Sequence, residues 1–127
     1  MNYDYVLDSF AWMELFLGTE KGKIVGELID KKDVAIPIIA LAELSDKFDR
    51  EHQNFEPSFL FIQQKATILP LTIDIALKAG KLKNELRKIA RNISLADCLG
   101  LQIAKSVGAT FVTGDPDFKD VKGVMFL

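Results

Sequence analysis

Tyr5-Val6-Leu7-Asp8-Ser9-Phe10-Ala11-Trp12 sets one acid between an apolar β-like run and an apolar run of helical character. Tyr3–Leu7 reads as a strand and Ser9–Leu17 as a short helix. Asp8 stands at the corner between them, where an aspartate can cap a helix by accepting from its first backbone N–H groups. The same alternation continues along the chain. Lys23–Lys31 reads as a helix with Ile24 and Leu28 inward, together with Val25 and Ile29. Val34–Ile36 is a brief strand, and Pro37 opens a helix to about Arg50, since proline suits a first helical turn. Glu56–Lys65 is helical, Thr67–Leu69 a strand stopped by Pro70, and Asp74–Ala90 an amphipathic helix with Ile75, Leu82, Leu86 and Ile89 at helical spacing. Ser94–Val107 is a nearly all-apolar helix ended by Gly108. Thr110–Thr113 and Val124–Leu127 complete the strands. Such alternation predicts one α/β domain over residues 1–127, with a mostly parallel sheet covered by helices on both faces.

Composition is that of an ordinary globular chain: 127 residues, 49% hydrophobic and 27% charged. No apolar stretch approaches the ~20 residues that span a bilayer. The opening Met-Asn-Tyr-Asp-Tyr carries an acid where a signal peptide has a basic start. Cys98 is the single cysteine, which excludes an internal disulfide and suits a reducing compartment. A cytoplasmic location is expected. The net charge of -2 is unevenly spread. Most of the positive charge lies between Lys78 and Arg91, where Lys78, Lys81, Lys83, Arg87, Lys88 and Arg91 face only Glu85.

Four acids stand apart from other charges. Asp8 is the only charge between Asp4 and Glu14, and Glu43 the only one from Val34 through Ser45. Asp97 lies in Ser94-Leu-Ala-Asp-Cys-Leu-Gly, and Asp115 ends Ala109-Thr-Phe-Val-Thr-Gly-Asp. Each has an ordinary structural explanation. Asp8 is placed as an N-cap, Asp97 as the partner of Ser94 in a capping box, Asp115 as a turn residue, and Glu43 as a charge at a helix edge. Together they ask for more. Acids are rarely buried without compensation, and two carboxylates ~4 Å apart repel by roughly 4 kcal/mol at an effective dielectric of about 20. If the fold gathers them, a divalent cation is the natural counter-ion. Oxygen ligands without His or Cys suit Mg²⁺ or Mn²⁺ rather than zinc, and His52 lies in the polar stretch Arg50-Glu-His-Gln-Asn.

Asp8-Ser9 after the first strand resembles the opening motif of the PIN-domain family. Leu41-Ala-Glu43-Leu, Ser94-Leu-Ala-Asp97 and Thr113-Gly-Asp115-Pro-Asp117-Phe118 are similar to its remaining motifs, in the same order. The resemblance covers essentially the whole chain, and its nearest variety is the small VapC-type toxin. It implies a sheet of about five strands between helices and a metal-dependent ribonuclease. Asp8, Glu43, Asp97 and Asp115 would hold Mg²⁺ or Mn²⁺, with Asp117 as a further ligand, and Ser9 and Thr113 would support them. It also implies a homodimer and a small VapB-like antitoxin that blocks the acidic site.

The expected chemistry is hydrolysis of RNA phosphodiester bonds, with Asp8 and Asp97 as the most direct metal ligands. Lys81, Arg87, Lys88 and Arg91 form a candidate RNA rail, with Lys81 and Lys88 one heptad apart and so on one helix face; the plainer account is the solvated side of an amphipathic helix. Two rivals remain. A phospho-acceptor receiver domain has similar size and an acidic metal site, but calls for paired acids after the first strand and a lysine after the fifth. A PIN-like module for RNA processing or for non-cleaving binding is the other.

Overall fold

A computed structural model describes residues 2–127. The elements follow in the order β1 (Tyr5–Leu7), α1 (Ser9–Leu17), α2 (Glu20–Lys31), β2 (Val34–Pro37), α3 (Ile38–Arg50), α4 (Glu56–Lys65), β3 (Thr67–Leu69), α5 (Ile73–Leu86), α6 (Leu95–Ser106), β4 (Thr110–Thr113) and β5 (Val124–Phe126). A 3₁₀ turn covers Pro116–Phe118. The five strands form one sheet in the order β3-β2-β1-β4-β5, and every pair is parallel. The three-layer α/β/α fold is therefore as expected, with an all-parallel sheet.

Side chains alternate across the sheet, as the pleat requires. Val6, Ala35 and Phe111 face one core with Ala79, Leu82, Cys98, Leu101 and Ala104 from α5 and α6. Leu7, Ile36 and Val112 face the other, with Trp12, Val25, Leu44 and Ile62 from α1 to α4. Strands covered on both faces are apolar on both, which is why β2 is buried throughout.

Several local expectations are corrected. β1 begins at Tyr5 rather than Tyr3. Helix α2 begins at Glu20, because Thr19 caps it by accepting from the Gly22 N–H at 3.0 Å. Its inward face is Val25 and Ile29 with Leu28 packed partly buried beside them, while Ile24 is exposed. α1 and α2 meet so closely at Gly22 that any Cβ there would overlap the Glu14 carbonyl. Pro37 ends β2 and stands as the cap of α3, one residue before the helix. Helix α5 stops at Leu86, so Ile89 is exposed and Lys88 lies beyond the helix. The shared helical face expected for Lys81 and Lys88 is absent.

The order places β1 between β2 and β4, and the chain's direction of winding reverses there. In open parallel sheets ligands bind at that reversal, beyond the carboxyl ends of the strands. Asp8 follows β1 and Asp115 follows β4 by two residues.

Candidate active site

Asp8 is built into the β1–α1 corner. Its N–H donates to the Val112 carbonyl at 3.1 Å, extending the β1–β4 pairing. Its Oδ1 accepts from the Ala11 N–H at 2.9 Å, capping α1. The Thr113 hydroxyl beside its carboxylate favours the charged form. Thr113 is fully buried, and its Oγ1 also accepts from the Asp115 N–H at 3.1 Å. One hydroxyl therefore links the acid after β1 to the backbone after β4.

The remaining acids are held in a similar way. Glu43 Oε1 accepts from the Ser9 hydroxyl at 3.2 Å, joining α3 to the start of α1. Asp97 Oδ2 accepts from the Ser94 N–H at 2.9 Å, and Ser94 Oγ accepts from the Asp97 N–H at 3.1 Å, the reciprocal box the sequence predicts. Asp115 Oδ1 accepts from the Asp117 N–H at 3.0 Å. For Glu43, Asp97 and Asp115, one oxygen is fixed and the other accepts no hydrogen bond among the described residues. That leaves a free lone pair on each for a ligand.

Asp8, Ser9, Glu43, Asp97 and Asp115 all line one cleft of about 390 Å³ between α1, α3 and α6. Asp117 does not line it, but carboxylate oxygens of Asp97, Asp115 and Asp117 lie within 4.8 Å of one another. The electrostatics carry the mark of a shared, uncompensated site. Burial pushes Asp8 up to about 7, with Glu43 and Asp97 adding to the rise against the opposing bonds from Thr113 and Ala11. Burial raises Glu43 too, with Asp97 and Asp115 contributing, and the Ser9 hydroxyl opposes it. Asp97 is raised by burial, then by Asp115 and Asp117, against the Ser94 bonds. Burial and neighbouring acids thus disfavour the charged forms of Asp8, Glu43 and Asp97, while the oxygens of Asp97, Asp115 and Asp117 stand close enough to share a hard divalent cation bound through oxygen. His52 is exposed, and Cys98 is buried with its thiol pushed up to about 11 by burial and by Asp97. Neither offers a soft ligand.

The basic stretch after Lys78 stands apart from the cleft. Lys81, Arg87, Lys88 and Arg91 do not line the cleft. Arg87 instead donates from Nε to the Ile93 carbonyl at 3.1 Å, bracing the loop that leads into α6. The residues missed in the sequence are Lys47 and Arg50, which line the cleft from α3. Their signal was present as positions four and seven after Glu43, one helical face. Phe10 was also missed. Its ring forms a cleft wall and occupies the space that a side chain at position 114 would need. No local pattern announces that contact, since the two residues are distant in sequence.

No helix is long and apolar enough to cross a membrane among the described residues. The strand order also separates the sheet from the receiver type, whose order is 2-1-3-4-5. Among solved structures, the chain resembles a toxin-antitoxin complex from Klebsiella pneumoniae at 23% identity and a TM-score of 0.78, over 96% of each chain. It resembles VapBC2 from Rickettsia felis, solved bound to a promoter DNA fragment, at 22% identity and 0.75, over 97% of this chain and 96% of that one. A third likeness is to VapBC-1 from nontypeable Haemophilus influenzae, at 25% identity and 0.69, over 97% and 96%. Comparison with curated protein sequences found no match. The sequence model of the PIN domain matches residues 5–124, and the chain belongs to the PIN domain family.

Proposed function

We propose that this protein is a metal-dependent ribonuclease that hydrolyses RNA phosphodiester bonds, acting as the toxin of a VapBC-type pair. The observation that carries this reading is the cleft at the sheet's reversal point, floored by Asp8, Glu43, Asp97 and Asp115. The cluster is suited to Mg²⁺ or Mn²⁺, with Asp8 and Asp97 as the most direct ligands and Asp117 as a further ligand beside Asp97 and Asp115. When bound, such an ion activates a water as nucleophile and stabilises charge on the phosphate. The chain's own part is positioning. Ser9 orients Glu43, Thr113 orients Asp8, Ser94 orients Asp97, and the Asp117 N–H orients Asp115. Burial raises Asp8 to about 7, so it is partly protonated near neutrality, and a bound cation would favour its charged form.

The likeness to toxin-antitoxin complexes supports a small VapB-like antitoxin as partner, and the reading adds a homodimer and a cytoplasmic setting. Cleavage-site mapping on total RNA, with and without Mn²⁺, tests the reading. Wild-type protein is expected to cut at defined sites only with the ion. Asp8→Asn and Asp97→Asn, folded by circular dichroism, are expected to lose at least about a hundredfold in rate. Full activity in either variant would sink the assignment, and RNA binding without cutting by the wild type would leave a non-cleaving module.

A further inference from the structure

The cleft presents a difficulty that its acids cannot solve. A polyanion approaching a floor of four carboxylates is repelled until cations meet its phosphates. Among the described residues, Lys47 and Arg50 are the only lysine and arginine that line the cleft. We propose that Lys47 and Arg50, on the same face of α3 as Glu43, hold phosphates of a single-stranded RNA and guide it to the acid cluster. This rests on the ribonuclease reading and adds the residues that receive the substrate's backbone.

Helical rise sets Lys47 about 6 Å and Arg50 about 10 Å along α3 from Glu43. The three residues thus form a file leading outward from the acid floor, one and two turns away. Their present partners are weak. Lys47 Nζ lies 3.7 Å from Glu51 Oε1, and Arg50 Nε lies 3.1 Å from Asp46 Oδ2, with all four side chains more than 40% exposed. Exposed pairs of this kind contribute about 0–1 kcal/mol, so a phosphate can displace the carboxylates. Arg50 adds a planar fork suited to a phosphate, whereas Lys47 acts as a point charge. Across the cleft, Phe10, Met13 and Leu17 from α1 supply an apolar wall beside Glu14, and the Lys21 ammonium lies 5.4 Å from the centre of the Phe10 ring without lining the cleft itself. The basic stretch after Lys78 is a weaker candidate. It does not reach the cleft, its helix ends at Leu86, and the Nε of Arg87 is taken by the Ile93 carbonyl.

The test measures Mn²⁺-dependent cleavage of a fluorescein-labelled single-stranded RNA by the full chain over a range of salt. The variant K47E/R50E is expected to raise KM at least about tenfold with kcat changed less than about twofold. Its log–log salt slope should flatten by about 1.4, two phosphate contacts at roughly 0.7 each. K47Q/R50Q, which adds no negative charge beside Glu43, should shift both quantities in the same direction by a smaller amount. Mn²⁺ affinity by calorimetry is expected to be unchanged in K47Q/R50Q. An unchanged KM in K47E/R50E overturns the proposal, as does a larger rise in K81E/K88E than in K47E/R50E. Should the wild type fail to cleave, the ribonuclease reading falls separately. RNA binding by anisotropy in the Asp8→Asn/Asp97→Asn background still decides the role of Lys47 and Arg50.

Discussion

The Ser9 hydroxyl donates to Glu43 Oε1 at 3.2 Å, tying two helices whose sequence positions are 34 residues apart. Removing it with Ser9→Ala frees the Glu43 carboxylate to rotate without opening a core cavity, because the contact lies at the exposed edge of the site. Mn²⁺ affinity measured by calorimetry is expected to weaken about tenfold, the lower end for groups that orient a metal ligand. The melting temperature should move by no more than about 2 °C, within the range of a surface change.

Thr113→Val removes a buried hydroxyl that serves both Asp8 and the Asp115 N–H. Leaving a buried donor unpaired costs about 1–3 kcal/mol, readable as a lower urea midpoint. Thr113→Ser keeps the hydroxyl and is expected to retain most of that stability. A Thr113→Val protein as stable as wild type would remove Thr113 from its linking role.

The acids give the metal-free protein an unusual response to pH. Asp8 has a folded value of about 7, above its ordinary 3.8. Between the two, the folded chain keeps a proton that the unfolded chain releases, so this group's contribution to stability falls as pH rises through that window. Glu43 and Asp97 are raised as well and add to the trend. In EDTA, the wild-type melting temperature relative to that of Asp8→Asn should drop by several degrees between about pH 5 and about pH 8. Mn²⁺ at the higher pH should restore the wild type far more than Asp8→Asn.

The capping role of Asp97 and its proposed metal binding can be separated by substitution. Asp97→Asn keeps an oxygen to accept from the Ser94 N–H, so α6 should stay capped while metal binding is lost. Asp97→Ala loses both, with a further cost of about 1 kcal/mol from the broken cap. Equal stability of the two variants would argue against the capping role.

Gly114 and Phe10 form a coupled pair. A Cβ at position 114 would fall 2.8 Å from Phe10 Cζ and closer still to the near edge of the ring. Gly114→Ala is therefore expected to cost about 1–3 kcal/mol and to displace the cleft wall. The double variant Phe10→Ala/Gly114→Ala should lose less than the sum of its single variants, a coupling that a double-mutant cycle measures.

The fold was legible wherever the apolar pattern was short and bounded. Thr67–Leu69 before Pro70, Thr110–Thr113 before Gly114, and the helices Ser9–Leu17 and Glu56–Lys65 fall where their boundary residues predict. The acids and their caps were legible too, because a lone charge in an apolar run stands out. Less visible were features set by tertiary contact. The turn of Val25 rather than Ile24 toward the core depends on how α1 and α2 cross at Gly22. The end of α5 at Leu86 depends on Arg87 turning back to Ile93. A basic run in sequence therefore pointed to one helix, whereas the cations that meet the cleft are two residues separated along another.

The central strand β1 is encoded first among the strands, yet its partner β4 lies at Thr110–Thr113. Asp8 has its Val112 and Thr113 contacts only after those residues are made, and Asp115 follows them. A ribosome supplies the chain from its amino end at roughly 5–20 residues per second. Until β4 and Asp115 have left the ribosome, the four acids have no common floor. A chain that ends before β4 carries Asp8, Glu43 and Asp97 without the strand against which Asp8 is set.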